Sequence, residues 1–543
     1  MRTITDIPSV EVVPVAMPGR TAHRLLPGAW CAALFALYAV LATRRHHLMR
    51  TTGYDLGIFE QAVKSYARLG PPYVPLKGPG PTGEGVNLLG DHFHPVLAAL
   101  APLYRLFPYA ETLLLAQAAL LALAVVPLAR WAQRALGTRA AHAVALGYGA
   151  SWGIASAVTF DFHEVAFAVP LLAFALEALG RARYGRAVAL AAPLLLVKED
   201  LGLTLAALGG YVAWKGRRGL GLATVAAGTL GTLLITRVLL PALSSSGSYA
   251  YGDYVAEGAR GSLLTTVVAA PLDMLRPEVK AVTLILVFAP TALLALRSPL
   301  ALLALPTLGW RLLSQHSYHW ETAFHYSAVL MPIVFAALID ALTPYGRRRS
   351  DPLAARHLRA SLATTVAVTL VLVPSFPFGL VLRKDTWRTT DHVRAARALL
   401  ARIPDGATVA ASNRLVPQLT SRCTAVLFPT YPLPGRLYDA QGTPPPPTSE
   451  WIVHDSRPHE AWPLPDGHWP YPPGRQRAEL DRAQRAYGYR VVARADGLTL
   501  LRRTGTATGA GAVTGAGAVT GTRAVTGTGA ATGTGAGAER VRK

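Results

Sequence analysis

Charge is scarce in this chain. Asp, Glu, Lys and Arg together make up 15% of its 543 residues, against 51% hydrophobic, a balance that excludes an ordinary soluble enzyme. Cysteine is scarcer still: Cys31 lies inside the first apolar run and Cys423 in the polar C-terminal part. An intramolecular bridge would therefore need a membrane-embedded partner, and neither residue reports a redox compartment. No glycine-rich nucleotide-phosphate loop is present. The first apolar run ends in Arg44-Arg45 without a small-residue cleavage site and reads as a retained signal-anchor. Acids are few beside bases, 31 against 53, for a formal net charge of +22. In a soluble domain that excess would suggest nucleic acid. Here the arginines fall in short clusters between apolar runs, the pattern of a positive-inside bias, so the expected partner is the lipid bilayer and no nucleic acid is expected.

What is abundant is long apolar sequence. Residues 1–26 read as a disordered cytoplasmic leader, followed by a multi-pass transmembrane domain over 27–382. Its expected spans are 27–43, 110–130, 140–159, 163–180, 185–198, 200–214, 219–241, 279–296, 298–313, 323–343 and 359–381. Several fall short of the roughly 20 residues of a perpendicular crossing, which implies tilt or burial in the bundle. Between about 54 and 107 the spacing predicts interfacial helices and not a second crossing. A Ser/Gly/Tyr-rich loop (SSSGSYAYGDY) and an amphipathic stretch, Leu263 to Leu275, read as a lid or a lipid-facing helix.

Residues 383–503 have the alternating strand and helix signals of a small soluble α/β domain, with ATVAAS, TAVLFP and WIVHD as strands and YRVVARADGLTLLRR as a hairpin turning at Asp496-Gly497. Residues 504–543, repeats of Gly, Ala and Thr, read as a disordered low-complexity tail. With the leader inside, the inner loops hold the arginine clusters (Arg130 to Arg139, Arg181 to Arg186, Lys215 to Arg218, Arg297, Arg347 to Arg359). Every other break holds acids and histidines. The two patterns agree on about eleven spans with the C-terminal domain outside.

Those acidic and histidine breaks hold the candidate site residues, because ionisable groups at span ends are normally paired, solvated in a cavity, or functional. Asp55, in GYDLGIFEQ, reads as a base taking a proton from a hydroxyl, or as the N-cap of the helix starting at Leu56. Glu60 reads as solvated or paired with Lys64 at i and i+4. Asp91, His92 and His94, in GDHFHP, suit a divalent metal or a phosphate, with Asp91 as an N-cap the alternative. Asp161, His163 and Glu164, in FDFHE, form a site or an internal salt-bridge set. Lys198, Glu199 and Asp200 place a cation where it could neutralise a phosphate leaving group, or pair with Glu199 or Asp161. His316, His319, Glu321 and His325, interleaved with Tyr318, Trp320 and Tyr326, suit sugar stacking or an interfacial aromatic belt.

In this order YDLGIFEQ, GDHFHP, FDFHEVAFAVP, LLLVKEDLGL and NRLVPQLTSR resemble the bacterial membrane-protein family catalogued as domain of unknown function 2079, over about residues 50–503. That family is similar to the multi-spanning GT-C glycosyltransferases that use polyprenyl-phosphate sugars. The resemblance implies an acid in the first outer loop, interfacial helices after the first span and a soluble outer C-terminal domain. Asp55 matches the acidic position, alone where those enzymes carry an acidic pair.

The reading that follows is a polytopic α-helical, GT-C-like protein of the bacterial plasma membrane, with its N-terminus cytoplasmic and its α/β domain extracytoplasmic. It would move a sugar from a polyprenyl-phosphate donor to an envelope glycan or protein. Asp55, Asp161, His163 and Glu164 would be catalytic. Asp91, His92, His94, Lys198, Glu199, Asp200, His319, Glu321 and His325 would bind substrate, with a divalent metal a possible cofactor. A secondary transporter with an acid/histidine relay and a non-catalytic envelope scaffold are the other classes considered.

Overall fold

A computed structural model describes residues 19–80, 83–249, 274–430, 447–458 and 471–504. The expected leader (all but its last residues), most of the stretch 263–275 and the low-complexity tail lie outside the described residues. The chain is mostly helical, and among the described residues five helices are long and apolar enough to cross a membrane: Arg24–His47, Ala110–Leu136, Arg218–Leu243, His325–Arg347 and Pro352–Ser375. Shorter apolar helices cover Pro95–Leu106, Tyr184–Leu196, Leu201–Trp214 and Pro299–Leu313. The first helix begins at Gly19, with Pro27 inside it, ahead of the expected start of the span.

Proline accounts for why several spans are short. Pro193, Pro290 and Pro299 each open a 3-10 turn within an apolar run, because the ring removes an amide donor and clashes with the preceding turn. The expected span 279–296 is accordingly not one helix. It is helical over Glu278–Phe288 and then breaks through left-handed Ala292 and Leu293. The helix Leu330–Arg347 is buried along most of its length and forms the bundle axis, whereas Arg218–Leu234 and Pro352–Leu372 bury only a few side chains and form its rim.

Lipid tails offer no hydrophobic gain for helix contact, so close backbone packing must supply it. Leu201–Trp214 and Arg218–Leu234 meet along glycines: a Cβ on Gly209 would come 2.7 Å from Val225 N and 2.8 Å from Gly221 O. A Cβ on Gly228 would come 2.4 Å from Gly202 O.

Between Leu48 and Tyr109 there is a π-turn (Gly53–Gly57), the helix Ile58–Ala67, a two-residue ladder of β1 (Tyr73–Val74) with β2 (Val86–Asn87), and 3-10 turns leading into the short helix Ala101–Leu106. The C-terminal sheet contains β3 (Thr408–Ala411), β4 (Thr424–Leu427), β5 (Trp451–Asp455), β6 (Tyr489–Ala495) and β7 (Leu498–Arg503) in the order β4-β3-β5-β7-β6. β3 runs parallel to β4 and β5, and β7 antiparallel to β5 and β6. The β6–β7 hairpin turns at Asp496-Gly497, both at positive φ, as a tight right-twisted hairpin requires.

Alternation along these strands gives the sheet two apolar faces. Val409, Ala411, Val453, Leu498 and Leu500 pack into one cluster with Leu56, Ile58 and Val63. Ala410, Ile452, Tyr489 and Leu501 pack with Ala483 of the helix Pro473–Ala486. One face of the sheet is therefore joined to the segment that follows the first long helix.

Candidate functional site

Helix connectivity sorts the polar residues by end. The helix Ala168–Gly180 runs from Glu164 to Arg181, Leu201–Trp214 runs from Asp200 to Lys215, and Leu330–Arg347 runs from the His325 turn to the arginines. In these three helices the turn with acids or histidines is at one end and the turn with basic residues at the other. At the acidic end a cavity of about 1080 Å³ opens.

Its wall begins at the π-turn. Thr52, not Asp55, occupies the N-cap position, and it makes no side-chain cap, so the N-cap expectation for Asp55 fails. Asp55 projects into the cavity, where its Oδ1 lies 3.4 Å from His163 Nε2. Its Oδ2 faces Thr52 Oγ1 at 3.2 Å, but that hydroxyl has a shorter contact, 2.7 Å, with Asp161 Oδ2. One hydroxyl proton serves one strong bond, which leaves Asp55 able to accept from a ligand.

Asp161 stands behind this wall and does not line the cavity. Its backbone is left-handed, φ 47, and its carboxylate accepts from both Thr52 N and Thr52 Oγ1 at 2.7 Å. Burial and the nearby Asp55 push it up to about 6. Gln117 fixes the same loop: its Oε1 accepts from His163 N at 2.9 Å, and its Nε2 donates to Ala157 O at 2.9 Å and to Asp161 O. His163 is stacked on His325 with ring centroids 3.6 Å apart, and on Phe160 at 5.0 Å.

Lys198 pairs with Glu164 at 3.2 Å, not with either partner expected from the sequence. Glu199 accepts from His92 Nδ1 at 2.6 Å, Phe93 N at 3.2 Å and Tyr249 Oη at 3.0 Å. Asp91 is not an N-cap; it forms an ion pair with Lys77, and the turn opening at Pro95 has His94 in its cap position with no side-chain cap. Asp200 accepts from Trp310 Nε1 at 2.9 Å. His319 Nδ1 meets Ser314 Oγ at 2.7 Å. Burial pushes the His94 imidazole down to about 4, so it is a neutral group in the wall.

The cavity therefore gathers Asp55, Asp91, His92, His94, His163, Glu164, Lys198, Glu199, Asp200, His319 and His325 from five separate breaks in the sequence. Glu321 is not among the lining residues. Tyr326, one of the aromatics offered for sugar stacking, lines the cavity, and so do Lys77, Arg237, Tyr249 and Trp310, which were not singled out as site residues. Arg237 had a legible signal, since it is the one charged residue within the expected span 219–241, and an ionisable group inside a span marks a functional site by default. It lies on a π-turn, Ile235–Leu239, a distortion common at functional positions, and makes no ion pair among the described residues. Among the described residues, Asp200 Oδ1, His94 Nδ1 and both ring nitrogens of His325 are buried with no hydrogen-bond partner. Such atoms are costly unless a ligand or water meets them. Among the described residues no three His, Cys, Asp or Glu side chains form a group that could hold a metal ion.

Glu60 also departs from expectation. It is buried, accepting from Tyr104 Oη at 2.9 Å and from Thr420 Oγ1. Lys64 turns instead to Thr420 O at 2.8 Å.

A family model described as a predicted membrane protein, DUF2079, matches residues 45–500. The chain belongs to that family. Among solved structures, the fold of this chain is similar to that of ArnT from Cupriavidus metallidurans, a structure bound to undecaprenyl phosphate. The match has a TM-score of 0.51 and 14% identity, and it covers 91% of this chain and 100% of that one. No curated protein matches this DUF2079 chain in sequence.

Proposed function

We propose that this protein is an integral-membrane glycosyltransferase that moves a sugar from a polyprenyl-phosphate donor to an envelope glycan or protein. The observation that carries the reading is the placement of Asp55 against His163 on the wall of a large cavity that also holds Lys77, Lys198 and Arg237. The ArnT-like fold supports it, since the ArnT structure is bound to undecaprenyl phosphate.

In this reading an acceptor hydroxyl attacks the anomeric carbon, its proton passes to Asp55, and the bond from that carbon to the phosphate oxygen breaks, releasing polyprenyl phosphate. His163 orients the Asp55 carboxylate. Lys198 and Arg237 face the departing phosphate, where fixed cations in a low-dielectric site stabilise developing charge. The buried unpartnered atoms of Asp200 and His325 suit sugar hydroxyls, and Trp310 and Tyr326 offer them aromatic faces. Asp161 acts by holding Thr52 rather than by touching substrate. With the arginine turns on the cytoplasmic side, as the positive-inside bias suggests, the cavity would open on the outer face. A transporter relay is expected near the midplane; here the groups gather at helix ends. The test is incorporation of radiolabel from polyprenyl-phosphate sugars by purified protein.

A further inference from the structure

We propose that the C-terminal α/β domain is the positioning element of the Asp55 turn, and that Asn413 is the residue through which it acts. Open α/β sheets take their ligands at the carboxyl ends of parallel strands. In this sheet the residues just past β3 bind the chain's own backbone: Asn413 O accepts from Gly53 N at 2.8 Å, Asn413 Oδ1 accepts from Tyr54 N at 3.0 Å, and Arg414 Nη1 donates to Arg50 O at 2.6 Å.

The fit is steric as well as polar. A Cβ on Gly53 would come 2.5 Å from Val416 Cβ, and a Cβ on Gly57 3.2 Å from Val416 Cγ1. Glycine at position 53 is required for this approach and glycine at 57 eases it, which gives a physical reason for the glycines of GYDLG and for the NRLVPQLTSR segment together. Asn413 occupies two successive amides that precede Asp55, and Asp161 takes the amide of Thr52 from the bundle side. The turn is held from both sides by acceptors, Asn413 and Asp161, that do not themselves line the cavity, so the distance from Asp55 to His163 is set jointly by the bundle and the C-terminal domain.

The effect on turnover rests on the transferase reading; the effect on the turn does not. Hydrogen exchange of the full-length protein in detergent separates the two. In Asn413→Ala the amides of residues 53–58 should exchange about five- to tenfold faster, as expected for loss of a buried hydrogen bond, while residues 92–94 and 163–166 keep their rates. Asn413→Asp, which retains the acceptor oxygen, should restore protection. In the transfer assay Asn413→Ala should lower kcat by a similar factor with KM for the lipid-linked donor unchanged. Unaltered exchange over 53–58 in Asn413→Ala overturns the proposal, as does faster exchange with undiminished kcat. If the wild type transfers no sugar, the transferase reading fails and the exchange result alone decides whether the domain holds the turn.

Discussion

Asp55 and His163 meet across 3.4 Å, one from a π-turn after the first long helix and the other from a loop between two apolar helices. Neither segment has this geometry by itself. Gly53 and Gly57 admit Val416 to the turn, and Gln117 fixes the His163 amide, so the contact depends on packing at both ends. A carboxylate oriented by an imidazole inside a cavity is the arrangement a general base needs.

Glu164 and Lys198 should be worth more as a pair than as individuals. Glu164 is buried and Lys198 is half-buried at the cavity wall, 3.2 Å apart, and removing Glu164 leaves the Lys198 charge without the carboxylate it pairs with. Glu164→Gln is expected to cost about 3–5 kcal/mol of stability, and adding Lys198→Met should recover most of it. Thermal unfolding in detergent reads both, and equal Tm values for the single variant and the wild type would refute the pairing.

The helix pair built on glycines predicts a contrast between neighbours. Gly209→Ala pushes a methyl against Val225 N and Gly221 O and should destabilise by about 1–3 kcal/mol. Gly210→Ala meets nothing within 4 Å and should be neutral or slightly stabilising, since alanine is the better helix former. Equal Tm shifts for the two would contradict the packing described.

His392 gives the C-terminal sheet a pH dependence of definite sign. Its Nε2 lies 3.0 Å from Asp455 Oδ2 and its Nδ1 3.0 Å from Asp496 O, and the bond to Asp455 leads the effects that raise its pKa above the usual 6.5. A raised folded value stabilises fully below about 6.5 and loses that stabilisation as pH climbs through the folded value. Protection of β5 and β7 against hydrogen exchange should fall over that window in the wild type and stay flatter in His392→Gln. Parallel profiles would remove His392 from the account.

The proposed sidedness rests on the two charge patterns. In a background lacking Cys31 and Cys423, Ser246→Cys near the cavity mouth should react with a membrane-impermeant maleimide added to intact cells. Arg217→Cys in a basic turn should react only after permeabilisation. Labelling of both from the same side would dismantle the topology.

Much of the candidate site was readable because chemistry at span ends stands out against apolar sequence: GDHFHP, KED, His163 and Glu164 of FDFHE, and His319 and His325 line one cavity, whereas Asp161 and His316 do not. What could not be read depends on local backbone and distant partners. A left-handed φ turns Asp161 toward Thr52. Lys77 is a single lysine in a Pro/Gly-rich stretch and reaches Asp91 only because β1 pairs with β2. Glu60 and Lys64 have the spacing of a helix pair, yet Tyr104 and Thr420 offer tighter partners. The C-terminal strands and their hairpin followed from alternation and an Asp-Gly turn, whereas their docking on the π-turn has no periodic signature.

The most direct test of the central claim is sugar transfer by Asp55→Asn. Asn keeps the shape and the contact with Thr52 but removes the proton acceptor, so transfer from a radiolabelled polyprenyl-phosphate sugar should fall at least about 100-fold with the protein still folded and its Tm little changed. Full transfer activity in Asp55→Asn would contradict the account.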